Sequence, residues 1–181
     1  YDKSIYLNPN HFWAYYGLAR CYDKLNIHDK AIDNYEKMIS AYPLLPQLYI
    51  DLGKIHSYEL KDTEKSISVF KRGTKVVEDS YLYVLLGNEY HYQNRYREGV
   101  ESCKSAIKLT PNYGWAYFIL GENYRGLKDY DKARTNYEKG LEIDSNEGMG
   151  YYGLGRLLIE EGEYKKAVQK FNEGIKIDSE Y

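Results

Sequence analysis

Histidines are the first side chains to test for chemistry, because they serve both as metal ligands and as acid–base groups. The chain has four, His11, His28, His56 and His91. None has a second histidine or a cysteine three or four residues on, the spacing that sets two zinc ligands on one helical face. Glu160, Glu161 and Glu163 cluster where the chain reads as a turn, so they are expected as solvated charge rather than a paired acid and base. The serines have no histidine and aspartate partners at consistent places. The glycines recur at a fixed interval and never form a phosphate-cradling loop after a strand. The sequence therefore predicts no catalytic residue, no metal site and no cofactor, and His56 is expected to be a satisfied structural residue. Cys21 and Cys103 lie far apart and read as two buried free thiols rather than a disulfide framework. That leans toward a reducing compartment, and so toward a cytoplasmic location.

Charge narrows the partners. Lys plus Arg number 25 and Asp plus Glu 27, a net charge of −2. This balance supplies no basic face for nucleic acid. Apolar runs are too short for a membrane span, so no membrane insertion is expected.

The elements that position these residues follow from a period. Gly-Leu-Ala-Arg-Cys-Tyr at 17–22 realigns every 34 residues, with Asp-Leu-Gly-Lys-Ile-His at 51–56, Leu-Leu-Gly-Asn-Glu-Tyr at 85–90, Ile-Leu-Gly-Glu-Asn-Tyr at 119–124 and Gly-Leu-Gly-Arg-Leu-Leu at 153–158. Five repeats result: 12–45, 46–79, 80–113, 114–147 and 148–181. Column four is always tyrosine (Tyr15, Tyr49, Tyr83, Tyr117, Tyr151), and column seven is always leucine. Column eight is small (Ala19, Gly53, Gly87, Gly121, Gly155), and column eleven is mostly tyrosine. Spacings of three and four place these residues on one helical stripe. Glycine inside a helix costs roughly 1 kcal/mol against alanine, so a column of glycines implies close approach of a second helix. The second half of each repeat supplies it, with small residues at columns twenty and twenty-seven around Tyr35, Phe70, Cys103, Tyr137 and Phe171 at column twenty-four. Pro9, Pro43 and Pro111 separate successive pairs. The second repeat departs from the pattern: it has one extra residue, expected in its inter-helix turn at Leu60–Thr63, and one fewer at its end.

This pattern of Tyr, Leu-Gly, Tyr, Ala, Tyr/Phe, Ala/Gly and Pro over 34 residues resembles the tetratricopeptide repeat family along the whole chain. The resemblance implies an all-α, right-handed superhelical solenoid of antiparallel helix pairs, forming one continuous domain of five repeats plus a partial helix at residues 1–11. There Tyr1, Ile5, Leu7 and Pro9 match the end of a preceding repeat. It also implies a concave groove, lined by the first helix of each pair, that binds a protein or peptide partner. Columns two, five, nine, twelve and thirteen avoid the packed stripe, which nominates Trp13, Tyr16, Arg20, Lys54, Tyr81, Asn88, Trp115, Phe118, Arg125, Tyr152 and Arg156 as peptide-binding residues. For Trp13 and Trp115 a second reading stands beside the groove, that each covers the joint with the preceding helix. The family's chaperone-tail clamp would need Lys and Asn where Tyr16, Arg20, Asp51, Tyr81 and Leu85 stand, and its asparagine ladder is replaced by Gly17, Asp51, Leu85, Ile119 and Gly153.

The function expected is therefore a non-enzymatic protein-interaction module. A self-assembling scaffold and the regulatory array of a larger enzyme are the alternatives. A repeat buries its apolar stripe only against a neighbour. The chain opens midway through a second helix, and Val168, Phe171 and Ile175 close it with no following helix. The reading is thus of a piece of a longer array, able to self-associate through uncapped ends, with residues 1–7 poorly ordered unless covered.

Overall fold

The invariant tyrosine of column four has a second task besides packing. In the computed structural model Tyr49 Oη donates to Pro43 O at 3.0 Å and Tyr117 Oη to Pro111 O at 3.0 Å, and Tyr151 Oη reaches Ser145 O at 3.3 Å. Each hydroxyl spans the turn that leads into its own helix and satisfies a carbonyl the turn leaves free. The ring thus fixes where one pair ends and the next begins.

The structure describes residues 9–179, and side chains of residues 12–177; Tyr1, Ile5, Leu7 and the expectation for residues 1–7 lie outside that range. Among the described residues the chain is all-helical. The helices are α1 (Pro9–Lys24), α2 (His28–Ala41), α3 (Pro46–Lys54), α4 (Thr63–Val76), α5 (Ser80–Tyr92), α6 (Tyr96–Leu109), α7 (Gly114–Gly126), α8 (Tyr130–Ile143), α9 (Gly148–Glu160) and α10 (Tyr164–Ser179). Consecutive helices pack as pairs. The chain divides into two compact units, Tyr1–Leu82 and Tyr83–Tyr181.

In both units the column-eight glycines stand where a side chain would collide. A methyl group on Gly53 would lie 2.2 Å from Phe70 Cε1, on Gly87 2.6 Å from Cys103 Sγ, and on Gly121 2.7 Å from Tyr137 Cε1. The large residue of column twenty-four occupies the space the glycine vacates, and Tyr35, Phe70, Cys103 and Tyr137 are all buried. In the C-terminal unit one core joins Val84, Val100, Cys103, Ala106, Ala116, Ile119 and Leu120, and a second joins Phe118, Ala133, Tyr137, Leu154 and Leu157.

The extra residue of the second repeat is not in the turn. Ile55–Glu59 continues α3 as a π-helical turn, with Leu60 N donating to Ile55 O at 3.0 Å. The left-handed residue that ends the first helix is Asn26, Asn94, Lys128 or Gly162 in the other repeats, and here it is Lys61, one column late. Widening one helical turn absorbs the insertion and leaves the turn itself unchanged. His56 lies in this segment, buried in its packing column, with burial pushing its imidazole below the ordinary value. Its Nδ1 has no hydrogen-bond partner, so the histidine is structural but not fully satisfied. The two thiols also differ from expectation. Cys103 is buried, which pushes its thiol up, whereas Cys21 is exposed.

Candidate functional site

Within the N-terminal unit, first-helix side chains converge on a cavity of about 260 Å³ lined by Arg20, Asp23, Lys24, Tyr35, Asp51, Lys54, Tyr58 and others. Asp51 organises one wall: it accepts from Tyr16 Oη at 2.8 Å and from Gln47 Nε2 at 2.6 Å. Burial, then the hydrogen bond to Asp51, push the Tyr16 hydroxyl up to about 12, so it stays protonated and donates. The Arg20 guanidinium lies 5.8 Å from the centre of the Tyr16 ring, and Lys54 Nζ donates to Tyr81 Oη at 3.0 Å. Trp13 is 70% exposed and edge-on to Phe12 and Tyr16; the preceding helix, on which its joint reading depends, lies outside the described residues. Five of the sequence-nominated residues, Trp13, Tyr16, Arg20, Lys54 and Tyr81, thus lie in this unit at or beside one polar, aromatic surface.

The C-terminal unit uses the same columns differently. Phe118 is 0% exposed. Its ring enters a slot made by two glycines: a methyl group on Gly140 would sit 2.2 Å from Phe118 Cε1, and one on Gly150 2.7 Å away. Phe118 is therefore core and does not line a surface. Trp115 is half-buried and packs against both apolar cores, the joint reading. Asn88 is half-buried, and Tyr152 is exposed with the Arg156 guanidinium 5.4 Å from its ring centre.

A buried carboxylate holds the rest. Glu122 is 9% exposed and accepts from Tyr137 Oη at 2.6 Å, from Arg125 at 2.9 Å and from Arg156 at 3.3 Å. His91 Nε2 stands 3.8 Å from the same carboxylate. Burial alone would raise the Glu122 carboxyl, but the hydrogen bonds from Tyr137 and Arg125 outweigh it and hold the group below its usual range. Arg125 also donates to Glu160 Oε1 at 3.0 Å. Arg125 is thus committed to internal partners, while Arg156 keeps donors free beside Tyr152. The central roles of Asp51 and Glu122 are what sequence reasoning missed. Their signal is the period itself: Tyr16 and Asp51, Glu122 and Arg156, and Arg125 and Glu160 are all 34 or 35 residues apart, which brings them together on successive first helices.

Family models described as tetratricopeptide repeat match residues 1–33, 80–113, 114–147 and 150–181. The chain belongs to the tetratricopeptide repeat family. Solved structures of similar fold include MamA, 23% identical with a TM-score of 0.74 over 90% of this chain and 95% of that one. A MamA from Desulfovibrio magneticus RS-1 is 16% identical, with a TM-score of 0.77 over 96% and 98% of the two chains. YrrB, a TPR protein described as having an unusual peptide-binding site, is 17% identical, with a TM-score of 0.68 over 92% and 86%. No curated protein matches the sequence. At these identities the likeness is one of fold. The tetratricopeptide repeats make this chain a protein-interaction module, and no helix among the described residues is long and apolar enough to cross a membrane.

Proposed function

We propose that this tetratricopeptide array binds an extended segment of a partner polypeptide, and that the cavity of the N-terminal unit is its principal contact. The observation that carries this reading is the convergence of Arg20, Lys24 and Lys54 with Asp23 and Asp51 on one cavity bordered by aromatic rings. An extended peptide presents alternating N–H donors and C=O acceptors, and a surface of mixed charge satisfies both. Trp13 supplies an adjacent exposed ring for an apolar side chain, and Tyr152 with Arg156 offers a separate, smaller contact on the C-terminal unit. YrrB, with its peptide-binding site on a similar fold, supports the class of ligand.

Peptides selected from a displayed random library against the whole chain provide the probe. Their affinity, measured by calorimetry, should fall at least tenfold for Arg20→Ala combined with Lys54→Ala. It should stay unchanged for Glu138→Ala, an exposed second-helix residue. Equal affinity for all three proteins would remove the cavity from the binding surface.

A further inference from the structure

In the C-terminal unit one carboxylate is the hub of an arrangement that the N-terminal unit repeats without it. Glu122 accepts from Tyr137 Oη at 2.6 Å and from Arg156 at 3.3 Å, and both donors stand in columns that recur with the period. Three repeats earlier those columns hold Tyr35 and Lys54, again a tyrosine and a cation, but the acceptor's column holds Arg20. Both donors are kept and the acceptor has become a third donor. All three residues line the cavity of about 260 Å³ in the N-terminal unit.

Tyr35 marks what is missing. It is 2% exposed, and its hydroxyl has no hydrogen-bond partner among the described residues, whereas Tyr137 in the same column is satisfied by Glu122. A buried donor without an acceptor is costly to keep. Burial, then the Asp51 charge, push this hydroxyl up, so it remains a donor. The acids already in the lining are committed or turned elsewhere. Asp51 accepts from Tyr16 and Gln47, Asp23 Oδ1 faces His28 Nδ1 at 3.4 Å, and Glu59 is exposed. The cations are not committed. Arg20, Lys24 and Lys54 form no ion pair among the described residues, and Lys54 gives one N–H to Tyr81 Oη and keeps two.

We infer that this cavity takes the carboxylate of one acidic side chain of the partner segment, which accepts from Tyr35 Oη and lies between Arg20 and Lys54 as Glu122 lies between its own donors. The inference rests on the reading of the cavity as the principal peptide contact, and adds the chemistry of the residue that enters it. The internal template is itself a side chain, so the occupant is an aspartate or glutamate within the segment rather than a chain terminus. A singly charged acid fits better than a phosphate, because Asp23, Asp51 and Glu59 in the same lining repel a second negative charge. The site is not the family's chaperone-tail clamp, whose Lys and Asn positions hold Tyr16, Arg20 and Asp51 here.

The peptides selected from the displayed library test it. Each is remade with every Glu or Asp changed singly to Gln or Asn, and separately with an amidated C-terminus. Calorimetry against the whole chain should show one acid-to-amide change that weakens binding at least about tenfold, and no loss on amidation. Tyr35→Phe should weaken the parent peptide by about the same factor and leave the weakened amide form unaffected. In the free protein Tyr35→Phe should leave the denaturation midpoint unchanged or higher, because its hydroxyl has no bond to lose, whereas Tyr137→Phe should lower it. Selected peptides without an acid, or acid-to-amide changes without effect, overturn the inference; the cavity reading survives either result if Arg20→Ala with Lys54→Ala still weakens binding. Loss on amidation alone also overturns it, by assigning the cavity to a chain terminus. A library that yields no binder defeats the peptide reading and this inference with it. Equal destabilisation by Tyr35→Phe and Tyr137→Phe overturns the inference without any peptide.

Discussion

Column nine holds Arg20 and Lys54 in the N-terminal unit, and Asn88, Glu122 and Arg156 in the C-terminal unit. The backbone position is the same, yet the two units use it for different ends. Arg20 and Lys54 line a cavity and reach their partners through tyrosines. Glu122 is buried and gathers Tyr137, Arg125 and Arg156 onto one carboxylate. The cause is the sign of a single side chain. A carboxylate at column nine is an acceptor for the cation three residues on and for the cation one repeat on, so it turns groove residues into internal glue. At Arg20 and Lys54 the residues three on are Asp23 and Ser57, neither of them a cation, and no such cluster forms around column nine there. At column five Tyr16 borders the cavity while Phe118 is drawn into the slot at Gly140 and Gly150, but Ile50 is buried and Tyr152 exposed, so this column does not divide by unit.

Overpacking is the severest way to probe this difference. Gly121→Leu must displace the Tyr137 ring and with it the hydrogen bond to Glu122, whereas Gly53→Leu displaces Phe70, which has no polar end. Overpacking costs about 1–3 kcal/mol in each case. Loss of the buried hydrogen bond should add about 1 kcal/mol at Gly121 alone. Equal losses in chemical denaturation would mean that the Tyr137–Glu122 contact contributes nothing.

Titration gives a smaller and more selective effect. The Glu122 carboxyl is held below its usual range in the folded chain. Its contribution is therefore present above the unfolded carboxylate value of about 4.3 and is lost as pH falls through the folded value. Glu122→Gln should flatten the decline in stability on acidification. Denaturation midpoints followed from neutral pH downward check this.

The slightest effect concerns a turn shared by both units. Lys128 takes the left-handed conformation that Gly162 takes one repeat later. Left-handed backbone costs a side-chain-bearing residue roughly 1–2 kcal/mol, so Lys128→Gly should stabilise the chain by up to about 1 kcal/mol once the greater freedom of glycine in the unfolded state is offset. An unchanged or lower denaturation midpoint would show that the turn carries no such strain.

The helix pairs were legible in the sequence because their cause is periodic. A small residue at column eight and a large one at column twenty-four recur together, and each glycine meets its aromatic or sulfur partner as expected. Phe118 was misread because its direction depends on Gly140 and Gly150, which belong to two other helices, and not on its own column. The insertion in the second repeat was counted correctly and misplaced by a few residues, since a π turn and a longer loop have the same length in sequence.

Thermal denaturation of two alanine variants at column nine bears most directly on the division between the units. Glu122→Ala leaves Arg125 and Arg156 without their buried acceptor, which should cost about 3 kcal/mol and lower Tm by about 6–12 °C. Lys54→Ala removes one partly buried hydrogen bond to Tyr81 and should lower Tm by no more than about 4 °C. Equal shifts in the two variants, or a larger one for Lys54→Ala, would contradict the assignment of Lys54 to a binding surface and of Glu122 to the interior.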